Sequence, residues 1–260
     1  MARGASEGTG MRSWPRAGSI VLLLATAAAL SACSAPAPRP APTVSHVAAL
    51  SSRPTPTPTV ARPDPALGDP ASLQVVVDKR RPLEPRAFVP PDLVRVPVPH
   101  TNPPLLRRQA AAAVVRLVRA ADRSKVRLLS ISAYRSYASQ QRVYGEDLRR
   151  YGRAGADRQT ARPGYSEHQT GLAIDLGARS GRCALAACFA TTPEGRWIAA
   201  NGWRFGFVLR YPKGAEAVTG YEYEPWHLRC VGAAVAARVH GAGGPPLETF
   251  FGLPPAPGYP

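Results

Sequence analysis

Between Pro103 and Arg123 the apolar residues Leu106, Ala110, Ala113, Val114, Leu117 and Val118 recur at helical spacing. Asn102 stands before them as an N-cap and Pro103 takes the first helical position, so a helix is predicted over residues 103–123. The mostly apolar run Val126 to Ala133 reads as a buried strand. Tyr134-Arg135-Ser136-Tyr137 then turns the chain into a second helix, ending near Tyr151-Gly152 because glycine suits the position after a helix. A polar loop is expected from Arg153 to Gly164, and a short strand over Leu172-Ala173-Ile174-Asp175-Leu176. Thr192-Pro193-Glu194 opens a third helix by the same capping logic, and Asn201-Gly202 closes it. Phe207 to Tyr211 and Tyr221 to Val231 read as strands, and a final Ala-rich helix ends near His240-Gly241. Upstream, Leu73 to Val77 has strand character, whereas the segment up to His100 is too rich in proline for a central strand and is expected to wrap the surface. Helices and strands are mixed, and the last strands are joined by a short connection that suits antiparallel pairing. The expected class is therefore α+β: a small antiparallel sheet with helices packed on it. The expected domain spans residues 73–245, followed by a Pro/Gly tail over 246–260 in which Phe250-Phe251 is apolar enough to dock.

The N-terminal third has a different pattern. Arg12 and Arg16 precede the apolar run Ile20 to Ala25, which continues through small residues to Ala32. That run is short for a membrane span, which needs about 20 apolar residues, and residues 1–32 read as a signal peptide, with Met1 and Met11 both eligible as the start. Its end, Leu30-Ser31-Ala32-Cys33, resembles the bacterial lipobox, which implies cleavage before Cys33 and a diacylglycerol anchor on it; an ordinary cleavage site beside a chance cysteine is the plainer alternative. Residues 34–104 hold 18 of the 29 prolines, including Pro54-Thr55-Pro56-Thr57-Pro58-Thr59. Residues 33–72 are therefore expected to form an extended tether, at about 3.1 Å per residue on the order of 100 Å long. The expected location is extracytoplasmic, as a membrane-anchored lipoprotein of a bacterial cell envelope.

The chain's 260 residues carry a net charge of +16, almost all of it from arginine, the only lysines being Lys79, Lys125 and Lys213. Loss of residues 1–32 removes a net +2 and leaves +14. Such a charge suits an anionic matrix or membrane surface, although an Arg-, Ala- and Pro-rich composition also follows from a GC-rich genome. No basic stripe interleaved with aromatics is present, so nucleic acid is not an expected partner. Nothing points to an obligate oligomer, and a monomer is expected.

Of the five histidines, His46 falls in the tether, His240 at a helix end, and His168 and His227 in informative company. In Ser166-Glu167-His168-Gln169-Thr170-Gly171-Leu172-Ala173-Ile174-Asp175, a His and an Asp seven apart straddle a glycine that lets the loop fold back. Glu224-Pro225-Trp226-His227 supplies a second imidazole and a second carboxylate. Two His and one Asp leave a fourth position open, as a catalytic zinc requires. A carboxylate that does not bind the metal must then carry the water's proton to the leaving amine, and Glu224 is the candidate. Residues three apart on a regular strand face opposite ways, so Pro225 has to bend the chain if Glu224 and His227 share a site. Taken alone, the clusters also fit two solvated His-bearing strands.

The pattern Ser-x-His-x-x-Gly-x-Ala-x-Asp followed by Glu-x-x-His resembles the VanY-type D-alanyl-D-alanine carboxypeptidases, within the zinc peptidase group of lysostaphin-type enzymes and the hedgehog signalling domain. The similarity covers about residues 100–240. It implies zinc on His168, Asp175 and His227, with Glu224 as general base and the peptidoglycan stem peptide as substrate. It implies that Tyr134-Arg135-Ser136 places Arg135 against the substrate carbonyl or carboxylate, where a guanidinium binds bidentately or stabilises an oxyanion. Ser166 and Gln140 would touch substrate, and Trp226 would wall the pocket, though an ordinary surface arginine and a core tryptophan are the plain alternatives. Removal of the terminal D-Ala is the expected reaction. L,D-carboxypeptidase or endopeptidase cutting, or a non-catalytic wall-binding zinc domain, are the alternatives.

Cys183 and Cys188 have four residues between them and are expected to form a disulfide outside the cell. Cys230 is left as a buried thiol, with pairing to either of them open. The serine D,D-peptidase class needs Ser-x-x-Lys; the residues three before the lysines are Val76, Asp122 and Arg210, which excludes it.

Overall fold

The computed structural model describes residues 64–260. The signal segment, Cys33, His46 and most of the tether lie outside the described residues.

Two short strands come first, β1 (Leu93–Arg95) and β2 (Leu105–Arg107), paired antiparallel with Val94 opposite Leu106. Helix α1 (Arg108–Arg123) follows directly. The expected helix start at Pro103 is corrected: residues 105–107 pair with β1, and this tertiary pairing overrides the local cap signal at Asn102. The helix buries Ala110, Ala113, Val114, Leu117, Val118 and Ala121 along one face, the spacing anticipated from the sequence.

A four-stranded sheet carries the rest: β3 (Leu128–Ser132), β4 (Ala173–Ala178), β5 (Phe207–Leu209) and β6 (His227–Cys230), in the order β3-β4-β6-β5 with every neighbour antiparallel. The chain is α+β, with helices against a small antiparallel sheet. The period of two on the strands sorts two kinds of chemistry. Ile174, Leu176, Leu228 and Cys230 join the main apolar cluster with α1, while Asp175 and His227 lie directly opposite each other across the β4–β6 ladder. One face of the sheet is thus the core and the other is polar.

Helix α2 (Tyr137–Gln159) is capped by the Ser136 hydroxyl, which accepts from the Ser139 N–H at 3.2 Å. It does not end at Gly152. That residue takes φ 67° and kinks the helix, which resumes to Gln159, so the expected polar loop is shorter than Arg153–Gly164. Helix α3 (Pro193–Asn201) starts where the Thr192-Pro193 signal predicts, with the Thr192 hydroxyl accepting from the Gly195 N–H at 3.0 Å. A short helix α4 (Glu216–Thr219) precedes the strand expected from Tyr221, whose first part, residues 221–226, is turn and irregular chain, so β6 begins only at His227. Helices α5 (Ala233–Gly241) and α6 (Leu247–Phe250) complete the described elements.

Both expected ends of the domain move outward. Leu67 is buried and its carbonyl accepts from Val76 N–H at 2.9 Å, so the folded part begins before residue 73. The segment read as a Pro/Gly tail is packed: Leu247, Leu253 and Ala256 are buried, and Tyr259 Oη accepts from the Arg162 N–H at 2.8 Å. Apolar residues spaced among the prolines supply that anchoring, as Phe250 and Phe251 do against the second apolar cluster.

Candidate metal centre and cleft

His168 sits in a turn of 3-10 helix, Glu167–Thr170, that ends at Gly171. Gly171 is left-handed (φ 66°), and a Cβ there would lie 2.9 Å from Leu93 Cδ2 and 3.3 Å from the Arg107 amide. Glycine therefore lets the chain reverse against β2 and enter β4, which brings Asp175 back over His168. The imidazole Nδ1 of His168 lies 2.7 Å from the Ala133 carbonyl oxygen. A carbonyl only accepts, so Nδ1 carries the proton and the Nε2 lone pair faces Asp175 Oδ2 at 3.3 Å.

His227 opens β6. Glu224 is brought beside it by a turn rather than by a kinked strand: the His227 N–H donates to the Glu224 carbonyl at 3.1 Å, with Pro225 inside the turn. The geometric demand that Glu224 and His227 share a site is met, with Glu224 Oε2 3.6 Å from His227 Nδ1. The same Nδ1 lies 3.2 Å from Asp175 Oδ1, and His227 Nε2 lies 3.6 Å from Glu167 Oε2.

His168, Asp175 and His227 are all buried, and one ligand atom of each lies within 4.8 Å of the others. If His227 carries its proton on Nε2, the side of Glu167, two imidazole lone pairs converge on one carboxylate. Lone pairs and an anion at 3.2–3.3 Å repel one another unless a cation stands between them. The donor set of two nitrogens and one oxygen, with His168 held by its hydrogen bond to Ala133, fits a zinc-type ion.

Glu167 is a candidate site residue that the sequence reading passed over, although it lies inside the motif. Its side chain is fully buried; Oε1 accepts from Arg210 Nε at 2.9 Å and Arg229 Nη1 at 2.8 Å. Arg210 continues to Glu248 of α6 through Nη1 and Nη2, at 2.9 and 2.6 Å. Only the neighbouring His pointed to Glu167; its arginine partners arrive from β5, β6 and beyond.

Burial opposes the charge on Glu167, but Arg210 and Arg229 outweigh it and hold the carboxyl well below its ordinary range. Asp175 is likewise held low, burial being outweighed by His168 and His227. Burial pulls the His227 imidazole down, yet the adjacent carboxylates of Asp175 and Glu167 lift it to about 9 so long as no metal ion stands between them. Burial lowers His168. Glu224 behaves in the opposite sense to Glu167: burial pushes its carboxyl up to about 8, against the pull of His227. A dication in the triad would favour its charged form.

A cleft of about 450 Å³ opens over the triad and is lined by every candidate substrate residue, Arg135, Gln140, Ser166 and Trp226. Arg135 donates to Gln140 Oε1 at 3.1 Å and Ser132 Oγ at 2.9 Å, both neutral, and has no carboxylate partner among the described residues. Gln140 is fully buried, and its amide donates to the Ala161 carbonyl at 2.7 Å. Gln140, expected to contact substrate, lines the cleft with a protein partner at each end of its amide, and its oxygen supports Arg135. Trp226 is half-buried, packing on the main core as well as facing the cleft. Tyr211, missed from the sequence, packs beside His227 with ring centroids 4.9 Å apart and planes tilted by 47°. Cys183 and Cys188 are disulfide-bonded, and Cys230 is free and buried in the core, facing away from the triad.

The family described as VanY, D-alanyl-D-alanine carboxypeptidase, matches residues 103–233. The Bacillus subtilis protein YodJ is 41% identical over 146 residues, 56% of this chain and 53% of its own length. A D-alanyl-D-alanine carboxypeptidase of Enterococcus faecium is 41% identical over 102 residues, 39% of this chain and 29% of its own. The chain thus spans about half or less of these two relatives. The Enterococcus gallinarum bifunctional D-Ala-D-Ala dipeptidase and carboxypeptidase VanXYC is 35% identical, over 60% of this chain and 82% of its own. Among solved structures, the LdcB LD-carboxypeptidase superposes with a TM-score of 0.66 at 36% identity, covering 70% of this chain and 87% of that one. A variant of a vancomycin-resistance D,D-pentapeptidase VanY in complex with Zn(II) gives 0.58 at 29% identity, covering 68% and 97%.

Proposed function

The chain belongs to the VanY family of D-alanyl-D-alanine carboxypeptidases, and on that premise we propose that it is a zinc-dependent carboxypeptidase releasing the terminal D-Ala of peptidoglycan stem peptides. The observation that carries the reading is the buried His168–Asp175–His227 triad with Glu224 Oε2 3.6 Å from His227, at the floor of a cleft that also holds an unpaired guanidinium.

A zinc ion on His168 Nε2, Asp175 and His227 Nδ1 would polarise the scissile carbonyl and acidify a water molecule. This chain's residues do the rest. Arg135 pairs with the peptide's C-terminal carboxylate, its fork pre-set by Gln140 and Ser132. Glu224 takes the proton of the attacking water and delivers it to the leaving amine, its carboxyl kept charged and able to accept by the dication that the triad would hold. Glu167 keeps His227 turned so that Nδ1 faces the triad.

A second reading is removal of D-Ala from the tetrapeptide stem, supported by the greater likeness to the LdcB LD-carboxypeptidase, at 36% identity, than to the zinc-containing VanY structure, at 29%. One experiment separates the two: synthetic muramyl penta- and tetrapeptides incubated with the purified full-length protein, with and without a zinc chelator. Release of D-Ala from the pentapeptide, stopped by chelation and restored by zinc, supports the first reading. Cleavage of the tetrapeptide alone supports the second. Zinc bound but neither peptide cut would sink both and favour a wall-binding domain. We place the protein outside the membrane on a lipid anchor, from the lipobox-like Leu30-Ser31-Ala32-Cys33. If Cys33→Ser leaves it in the membrane fraction, the anchor is wrong.

A further inference from the structure

The cleft has unlike walls. Arg135, Gln140, Asp147, Gln159 and Thr160 line it with polar groups, whereas Leu185, Ala186 and Ala187 line it with methyls. These three apolar residues all fall within the ring closed by Cys183 and Cys188, whose Cα atoms are 5.6 Å apart. Cys183 and Leu185 have φ of 56° and 49°, a left-handed backbone that side chains other than glycine seldom hold without restraint. Leu185 is 48% exposed, whereas Cys183, two residues before it, packs on the main core. The feet of the ring are fixed: Cys183 packs on the main core, Phe189 is fully buried, and its carbonyl accepts from the Thr192 hydroxyl at 2.8 Å. A fixed ring holding a leucine out of the core and over a cleft is built to meet something apolar.

We propose that the disulfide-closed ring 183–188 is a specificity lip, whose Leu185 and flanking alanines contact the small alkyl side chains of the bound stem peptide. It rests on the carboxypeptidase reading above. The lip touches substrate but no reacting atom, so it sets KM rather than kcat. The disulfide keeps the wall in place before substrate arrives, and its reduction releases the wall.

The test is steady-state kinetics of the full-length zinc-loaded protein on whichever muramyl peptide it cuts, comparing wild type, Leu185→Ser and Cys183→Ser/Cys188→Ser. Loss of this contact is expected to raise KM about fivefold, with kcat within about twofold and metal content unchanged. Mild reductant should raise the wild-type KM by a similar factor and leave the double variant unmoved, because the buried Cys230 is common to both. Leu185→Ser alters only an exposed side chain, so it decides the matter even if the double variant fails to fold. KM unchanged in Leu185→Ser and in the reduced wild type would overturn the lip while leaving the carboxypeptidase standing. Loss of kcat together with zinc would overturn it in favour of a structural brace, and a wild type that cuts neither peptide would remove the lip along with the function.

Discussion

Glu167 and Glu224 both lie beside His227, and their surroundings set them to opposite tasks. Glu167 is fully buried between two guanidinium groups and stays an anion; Glu224 has no arginine partner, retains 12% of its side-chain surface in solvent, and is pushed up to about 8 by burial. Two carboxyls separated in this way are the mark of one positioning group and one proton carrier. Glu224→Gln should therefore leave zinc content and fold intact while lowering turnover by about 10²-fold or more, as removal of a general base does; metal analysis beside the peptide assay would check it, and near-normal turnover would refute the assignment. Glu167→Gln should weaken zinc affinity by about 10- to 100-fold. Chelator competition measures that directly, and unchanged affinity would mean that Glu167 only neutralises its arginines. Gln140 marks the limit of reading residue by residue: the family resemblance implied a substrate contact, but the bond to Ala161, 21 positions along, ties one N–H of its amide to the protein while its oxygen holds Arg135.

At the scale of elements, local signals succeeded where neighbouring residues decide the outcome. The Thr192-Pro193 start of α3 is one case, since cap and helix lie within four residues. The same helix shows how closely it seats: a Cβ on Gly195 would stand 2.0 Å from the Phe189 carbonyl oxygen, which must then move together with the foot of the 183–188 ring. Gly195→Ala is expected to destabilise the protein by roughly 2–3 kcal/mol, read as a lower denaturant midpoint at unchanged slope. An effect under about 0.5 kcal/mol, the usual range for surface changes, would show that the contact relaxes freely. Local signals failed at Asn102-Pro103, where β1 captured the predicted first turn of α1, and at Gly152, where α2 continues past a kink.

Over the whole molecule, charge is taken into the interior by the ends of the chain. Arg210 joins Glu248 of α6 to Glu167 of the metal turn, so the C-terminal segment braces the site. Lys79 is 2% exposed, donates to the Gly220 carbonyl, and lies 4.3 Å from the Tyr221 ring centre, close to where the end of the chain crosses Gly220. Burial lowers its amine from 10.5 to about 8. The charged form is thus disfavoured in the fold, and between pH 8 and 10 the unfolded chain binds more protons than the native one. Stability should rise across that window, by up to about 1 kcal/mol per pH unit, and Lys79→Met should flatten the rise. Denaturant midpoints at pH 8, 9 and 10 would test this, a rise of equal size in both proteins counting against Lys79 as its source.

The sequence by itself determined which candidate groups come together. The spacing of His168, Gly171 and Asp175, and of Glu224 and His227, dictates a reversal into one strand and a turn into another, and both are short-range events. The alternation along β4 and β6 sent apolar side chains to one face and ligands to the other. Only the tertiary structure decided how those groups are held. The hydrogen bond from His168 to Ala133 spans 35 positions, and those from Arg210 and Arg229 to Glu167 span 43 and 62. Their formation depends on packing of the whole sheet and of the C-terminal segment. A buried carboxylate is tolerable only once both arginines have arrived, and no local pattern encodes that arrival.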